Sequence, residues 1–174
     1  AITISAHKIG GPKGCGAIYL NPFVRATPVF PGVTHERGLR GGTLDTPSIV
    51  AMAVVVEDYR YDLEYQWKLR EKLIKSLHHE TFQVIEGTGT QQLPNICGIC
   101  MKGVEGQYVM LKLNEQHIYI STGSACDINS ASGTKAILAM GKSVQEARQF
   151  FRISFGVQTT MNDIVKSARA LSDL

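Results

Sequence analysis

Between Ser5 and Gly14 the chain reads Ser-Ala-His-Lys-Ile-Gly-Gly-Pro-Lys-Gly. Lys8 is the residue there that can do covalent chemistry, because a lysine amine forms imines with carbonyl compounds. The apolar stretch before it, residues 1–4, reads as a strand, and the glycines and Pro12 after it read as a turn. Lys8 then sits at the carboxyl end of a strand, where ligands of α/β folds gather. A surface lysine in an ordinary turn is the alternative, since Gly/Pro clusters mark turns of every kind.

Three further stretches carry reactive or anion-binding groups. His35-Glu36-Arg37-Gly38-Leu39-Arg40-Gly41-Gly42-Thr43 combines charge, glycine and a hydroxyl without a periodic apolar face. Backbone amides freed by glycine, with Thr43 and arginines nearby, suit an anion such as phosphate, and a solvated turn is the alternative. Cys126 lies among small and polar residues between Ser121 and Gly133, the composition of an exposed loop. A nucleophilic thiol must be accessible and partly thiolate, so such a loop is a sensible carrier; a tolerated surface cysteine is the alternative. Arg152 stands in Phe150-Phe151-Arg152-Ile153-Ser154-Phe155-Gly156, an arginine inside an apolar strand. A guanidinium in that setting needs an anion. Either it forms a buried ion pair with Glu146 or Asp163, or it is a fixed fork for a substrate carboxylate.

Cys97-Gly98-Ile99-Cys100 spells C-x-x-C, which can mean redox chemistry or half a zinc site. It lies inside an apolar strand, where residues three apart face opposite sides, and it has no second C-x-x-C. Packing is the expected role, and no metal is expected. Cys15 reads as a small core residue.

The elements that must position these groups follow from pattern. Residues 14–20 read as a buried strand and residues 21–32 as a loop punctuated by Pro22, Pro28 and Pro31. Thr46-Pro47-Ser48 starts a helix that is apolar almost all round from Ile49 to Val56, and its burial is expected. From residue 57 to 79 the pattern turns amphipathic, with Leu69, Leu73 and Leu77 on one face and charges on the other. This is one long helix or two with a kink. It joins two expected domains, residues 1–63 and 64–174. In the second, strands are expected over 82–86, 94–101, 117–120 and 150–155. Helices are expected over 103–115, with Tyr108 and Leu111 inward, over 134–140, after the cap Ser143, and over 161–174. Such alternation suggests a small α+β domain.

The bulk composition excludes several classes. The 174 residues are 44% hydrophobic and 19% charged, ordinary for a soluble protein. A net charge of +3 is too small to argue for direct nucleic-acid binding or for a membrane surface. No apolar run approaches the roughly 20 residues that span a bilayer, and no signal peptide is expected. Four cysteines without a disulfide-like framework make the reducing cytoplasm the default. The chain opens on Ala-Ile-Thr-Ile-Ser with its key lysine eight residues in. The expectation is the carboxyl-terminal part of a longer protein.

Together these stretches resemble the cysteine desulfurases of the NifS/IscS type, pyridoxal-phosphate enzymes of the class V aminotransferase family. Ser5 to Gly14 looks like the family's cofactor-lysine segment, and His35 to Thr43 like its phosphate-side loop. Ser121 to Cys126 looks like its nucleophile loop, in the form found in group I members. Arg152 to Gly156 looks like its substrate-carboxylate strand.

The resemblance implies an α/β protein of the fold type I of pyridoxal-phosphate transferases: the end of the large cofactor domain plus the small carboxyl-terminal α+β domain. It implies that Lys8 holds pyridoxal 5'-phosphate and shuttles the substrate α-proton, and that Ser5 and His7 contact the cofactor phosphate. Thr43 would reach the phosphate of the neighbouring subunit of a homodimer, and Arg152 would grip the carboxylate of L-cysteine. Cys126 would take the sulfur as a persulfide, leaving L-alanine, and pass it to a sulfur-acceptor protein. Iron–sulfur cluster biogenesis, tRNA thiolation and DNA sulfur modification all draw on this family.

The missing amino-terminal half of such an enzyme supplies the acid that pairs with the pyridine nitrogen and the aromatic group that stacks on the ring. The chain alone is therefore expected to bind the cofactor weakly and to have little activity. A selenocysteine lyase is the enzymatic alternative. A non-catalytic fragment or docking domain for a sulfur acceptor is the other.

Overall fold

The computed structural model describes residues 1–28, 30–87, 91–122 and 135–174. Cys126 lies outside them. The chain divides into two compact units, Ala1–Arg60 and Tyr61–Leu174.

The first unit begins with an antiparallel ribbon. Strand β1 (Ile2–Ser5) pairs with β2 (Gly16–Tyr19), Ser5 opposite Gly16. A Cβ at position 16 would come within 2.6 Å of the Ile4 carbonyl oxygen, so the pairing depends on glycine there. Helix α1 (Thr46–Asp58) starts at the cap Asp45, whose side chain accepts from the Ser48 amide, with Pro47 in its first turn.

The expected burial of two segments in this unit is not found. Ile18 and Tyr19 of β2 are exposed, and so are Ile49, Val50, Val54 and Val56 of α1, leaving Met52 as its buried residue. The reason is arithmetic of surface. Besides α1 itself, the described residues of this unit form a two-stranded ribbon and single turns, too little surface to cover an all-round apolar helix.

The second unit is a four-stranded antiparallel sheet with helices on both faces. In chain order it runs α2 (Leu63–Ser76), β3 (Phe82–Ile85), β4 (Ile96–Met101), α3 (Gly106–Asn114) and β5 (Ser121–Thr122). It continues through α4 (Lys135–Ala139), α5 (Val144–Gln149), β6 (Phe150–Ser154) and α6 (Met161–Ser172). The sheet order is β3-β4-β6-β5. One face packs Cys97, Ile99, Phe151 and Ile153 against Leu69 and Leu73 of α2, Val109 and Leu113 of α3, and Ile164 and Leu171 of α6. The other packs Ile85 and Cys100 against Ile137 of α4 and Ala147 of α5. Helices α5 and α6 each start at a capping box, Ser143 with Glu146 and Thr160 with Asp163. No helix among the described residues is long and apolar enough to cross a membrane.

Three expectations for this unit are corrected. Tyr108 and Leu111 are exposed, and Val109 and Leu113 face the core. The phase of α3 is set at Gly106, which sits against the Phe150 carbonyl so closely that a Cβ would collide with it. That contact brings the row of Gly106, Val109 and Leu113 inward. The strand expected over 117–120 starts later, at Ser121. His117 takes a left-handed conformation (φ 59°) that turns the chain after α3, and pairing begins where Ser121 meets Arg152.

The third correction is Arg70, a charge on α2 expected to face outward. It is 2% exposed. Its guanidinium donates to the Ile96 carbonyl (2.6 Å), to Cys97 Sγ (3.2 Å) and to Glu86 Oε2 (2.5 Å), tying α2 to the ends of β3 and β4.

The packing predicts the cost of a cavity. Leu73→Ala should destabilise the second unit by about 2–5 kcal/mol, read as a lower urea midpoint by far-UV circular dichroism. An unchanged midpoint would show that Leu73 is not part of a close-packed core.

Candidate active site

The turn that carries Lys8 is built on Ala6. This residue is fully buried, and its N–H donates to the Cys15 carbonyl at 3.0 Å. Its carbonyl accepts from Ile9 N (3.0 Å) and Gly11 N (2.8 Å). A Cβ at position 11 would stand 3.0 Å from the Ala6 methyl, so the returning chain folds directly over it. Within this knot Ala6–Lys8 make one turn of 3-10 helix. The inward methyl leaves Ser5, His7 and Lys8 exposed. Among the described residues none of their three side chains has a hydrogen-bond or ion-pair partner. One short turn thus offers a hydroxyl, an imidazole and an amine, held by backbone bonds that use none of them.

Thr43 is also exposed, two residues before the cap of α1. Upstream, Glu36 (φ 49°) and Arg37 (φ 56°) are both left-handed, a costly conformation for side-chain-bearing residues. The amino end of α1 is already occupied. Asp45 accepts from the Ser48 hydroxyl at 2.6 Å and from the Ser48 amide, and those bonds hold its carboxyl below the ordinary range. An anion recognised in this stretch would therefore be met by Thr43 and the preceding backbone, not by the helix end.

Arg152 lies on β6 between Phe151 and Ile153, paired with Gly98 of β4 and Ser121 of β5. Its neighbours in sequence are buried and it is exposed. The buried ion pair with Glu146 or Asp163 is ruled out. Glu146 is bonded to Ser143 and lies beside Lys142, and Asp163 is bonded to Thr160. The period of two along the strand sends Arg152 to the face opposite Phe151, where its guanidinium has no partner among the described residues.

The C-x-x-C pair separates as its strand position requires. Cys97 packs in the core with α2, and Cys100 packs on the other face, its Sγ donating to the Glu146 carbonyl at 3.2 Å. Burial pushes both thiols up to about 11. For Cys97 the Arg70 guanidinium opposes that rise without cancelling it. Residues on opposite faces of one strand cannot share a metal or a disulfide. Cys15 is half-buried, with its Sγ 3.7 Å from Met52 Sδ. Cys126 lies outside the described residues, four positions after β5 ends at Thr122.

The sequence reading missed Arg70 as an organising group. Its only signal is a charge adjacent to Leu69 in the helical repeat, and every helix with an outer face shows the same.

These features place the chain among α/β proteins with an exposed lysine on a strand-end turn and a small antiparallel domain whose exposed Arg152 has no partner among the described residues. Residues 1–166 match the class-V aminotransferase family, and the chain belongs to it. It is 40% identical to a putative cysteine desulfurase NifS of Bacillus subtilis over 171 residues, covering 94% of this chain and 43% of that relative. The X-ray structure of a NifS-like protein from Rickettsia africae superposes with a TM-score of 0.80 at 26% identity, over 98% of this chain and 46% of the other. SspA, solved in complex with cysteine, superposes with a TM-score of 0.64 at 30% identity, over 88% of this chain and 43% of SspA. The chain thus spans less than half the length of the relatives it matches, and its architecture is that of part of a fold type I transferase.

The buried thiols give a measurement. Cys97 and Cys100 should resist iodoacetamide in the folded chain at pH 8 and react once urea is added, by peptide mass spectrometry. The sign for stability follows. Each thiol stays protonated longer folded than unfolded, so its contribution is whole below the ordinary value near 9 and is lost as pH rises through about 11.

Proposed function

We propose that the whole protein is a pyridoxal-phosphate-dependent cysteine desulfurase. It takes sulfur from L-cysteine, leaves L-alanine, and carries the sulfur as a persulfide on Cys126 to acceptor proteins. The observation that carries this reading is the Ala6 turn, which presents Lys8, His7 and Ser5 together with none of them engaged. An amine for an aldehyde and two donors for a phosphate fit that cofactor. The family match and the likeness to SspA, solved in complex with cysteine, support the substrate.

When bound, pyridoxal phosphate supplies an electron sink that loosens the bonds around the substrate α-carbon. Lys8 would hold the cofactor through its amine and would move the α-proton. The Ser5 hydroxyl and His7 imidazole would hold its phosphate, and Thr43 would reach the phosphate bound in the partner subunit of a homodimer. The paired N–H donors of Arg152 take the substrate carboxylate, which fixes the amino acid's orientation. The Cys126 thiolate then attacks the substrate sulfur. A sulfur–sulfur bond forms as the carbon–sulfur bond breaks, and the carbon is protonated. Cysteine plus thiol becomes alanine plus persulfide, with no outside oxidant or reductant.

The activity belongs to the whole protein. The chain spans 43% of the Bacillus subtilis relative, and its first unit leaves Ile2, Ile18, Phe23 and Val54 uncovered, as a piece of a larger subunit would. On this reading the 174-residue chain alone should bind pyridoxal phosphate weakly and release little alanine. Three described cysteines, Cys15, Cys97 and Cys100, are free thiols, which supports work in the reducing cytoplasm.

The test uses the whole protein. Lys8→Ala should abolish both alanine release and persulfide formation. Cys126→Ser should keep the visible absorbance of bound cofactor and stop persulfide formation. Persulfide at the wild-type level in Cys126→Ser would sink the reading.

A further inference from the structure

We propose that the open edge of β3 is a docking site for an extended, acidic segment of a partner protein. The sheet order puts β3 at one edge and β5, only two residues long, at the other. Lys102 N donates to the Thr81 carbonyl at 2.9 Å, which fixes the phase of the ladder with β4. Gln83 and Ile85, opposite Cys100 and Gly98, therefore turn their backbone groups toward β4. Phe82, Val84 and Glu86 turn theirs outward.

The Phe82 amide is used by the His78 carbonyl at 2.8 Å. The Phe82 carbonyl, both Val84 groups and the Glu86 amide have no hydrogen bond among the described residues. A strand laid along this edge would complete the ladder through those four groups.

The chemistry beside the edge selects the strand. An open cleft of about 580 Å³ runs there, and its lining includes Ile74, His79, Phe82, Val84, Glu86 and Lys102. Ile74, Phe82 and Val84 give an apolar floor for alternate side chains of an added strand. The charges are unequal. Glu86 is bonded to the buried Arg70, whereas Lys102 is exposed with no ion pair among the described residues, and His79 is exposed beside it. The uncompensated charge is positive, so the complementary segment carries carboxylates. Docking here occupies the sheet edge opposite β5.

The experiment uses the 174-residue chain and two fluorescein-labelled peptides of alternating residues, one valine with aspartate and one valine with lysine. Anisotropy should show the aspartate peptide binding at least tenfold more tightly. Lys102→Glu, an exposed substitution, should remove that preference. Val84→Pro should abolish binding, since it deletes an outward N–H at a position an edge strand tolerates. Amide exchange read by NMR should slow at Val84 and Glu86 when the aspartate peptide is added. No binding, equal affinity for both peptides, or unprotected Val84 and Glu86 amides would overturn the proposal. Slow exchange at those amides without peptide, in a chain that elutes as a dimer, would also overturn it by assigning the edge to a second copy.

Discussion

The pairing of β4 with β6 is the constraint on which the second unit depends. Cys97 and Ile99 of one strand meet Ile153 and Phe151 of the other, and all four are buried beneath α2, α3 and α6. The same alternation leaves Arg152 over Gly98 on the opposite face. A one-residue slip would turn the guanidinium toward the core and Phe151 and Ile153 away from it, so hydrophobic burial and the placement of a charged fork are one and the same specification. Arg70 reinforces it from outside the sheet. Its bonds to the Ile96 carbonyl and Cys97 Sγ hold the start of β4, and Glu86 offsets its buried charge.

The first unit solves a similar problem with far less material. Ala6 contributes one methyl and two backbone groups, and these are enough to lock a tight turn between β1 and β2. The side chains on either side of that methyl are thereby turned outward without help from one another. A group meant to bind a ligand gains by such an arrangement, because it need not break an internal bond before it acts.

What was legible in the sequence was local. The Lys8 turn, the cap at Ser143, and the opposed faces of Cys97 and Cys100 all depend on residues a few positions apart. Family membership was legible for a related reason, since the motifs that carry it are short and ordered along the chain. Burial was not legible where it depends on distant surface. The apolar run of α1 looks like a core helix in any window, yet what covers it is not decided by that window. The phase of α3 turned on a contact between Gly106 and Phe150, and the burial of Arg70 on partners at the ends of two strands. The start of β5 followed from a single left-handed residue, His117. Cys126, the most suggestive thiol in the sequence, lies outside the described residues.

The uncovered side of α1 has a practical corollary. Val50, Val54 and Val56 each stay at least half open to solvent, beside further bare aliphatic and aromatic groups on the ribbon and loop. A polypeptide released with that much greasy surface is a natural client for chaperones and invites precipitation as it is concentrated. Mild detergent or a solubilising fusion would then be the sensible starting point for handling it.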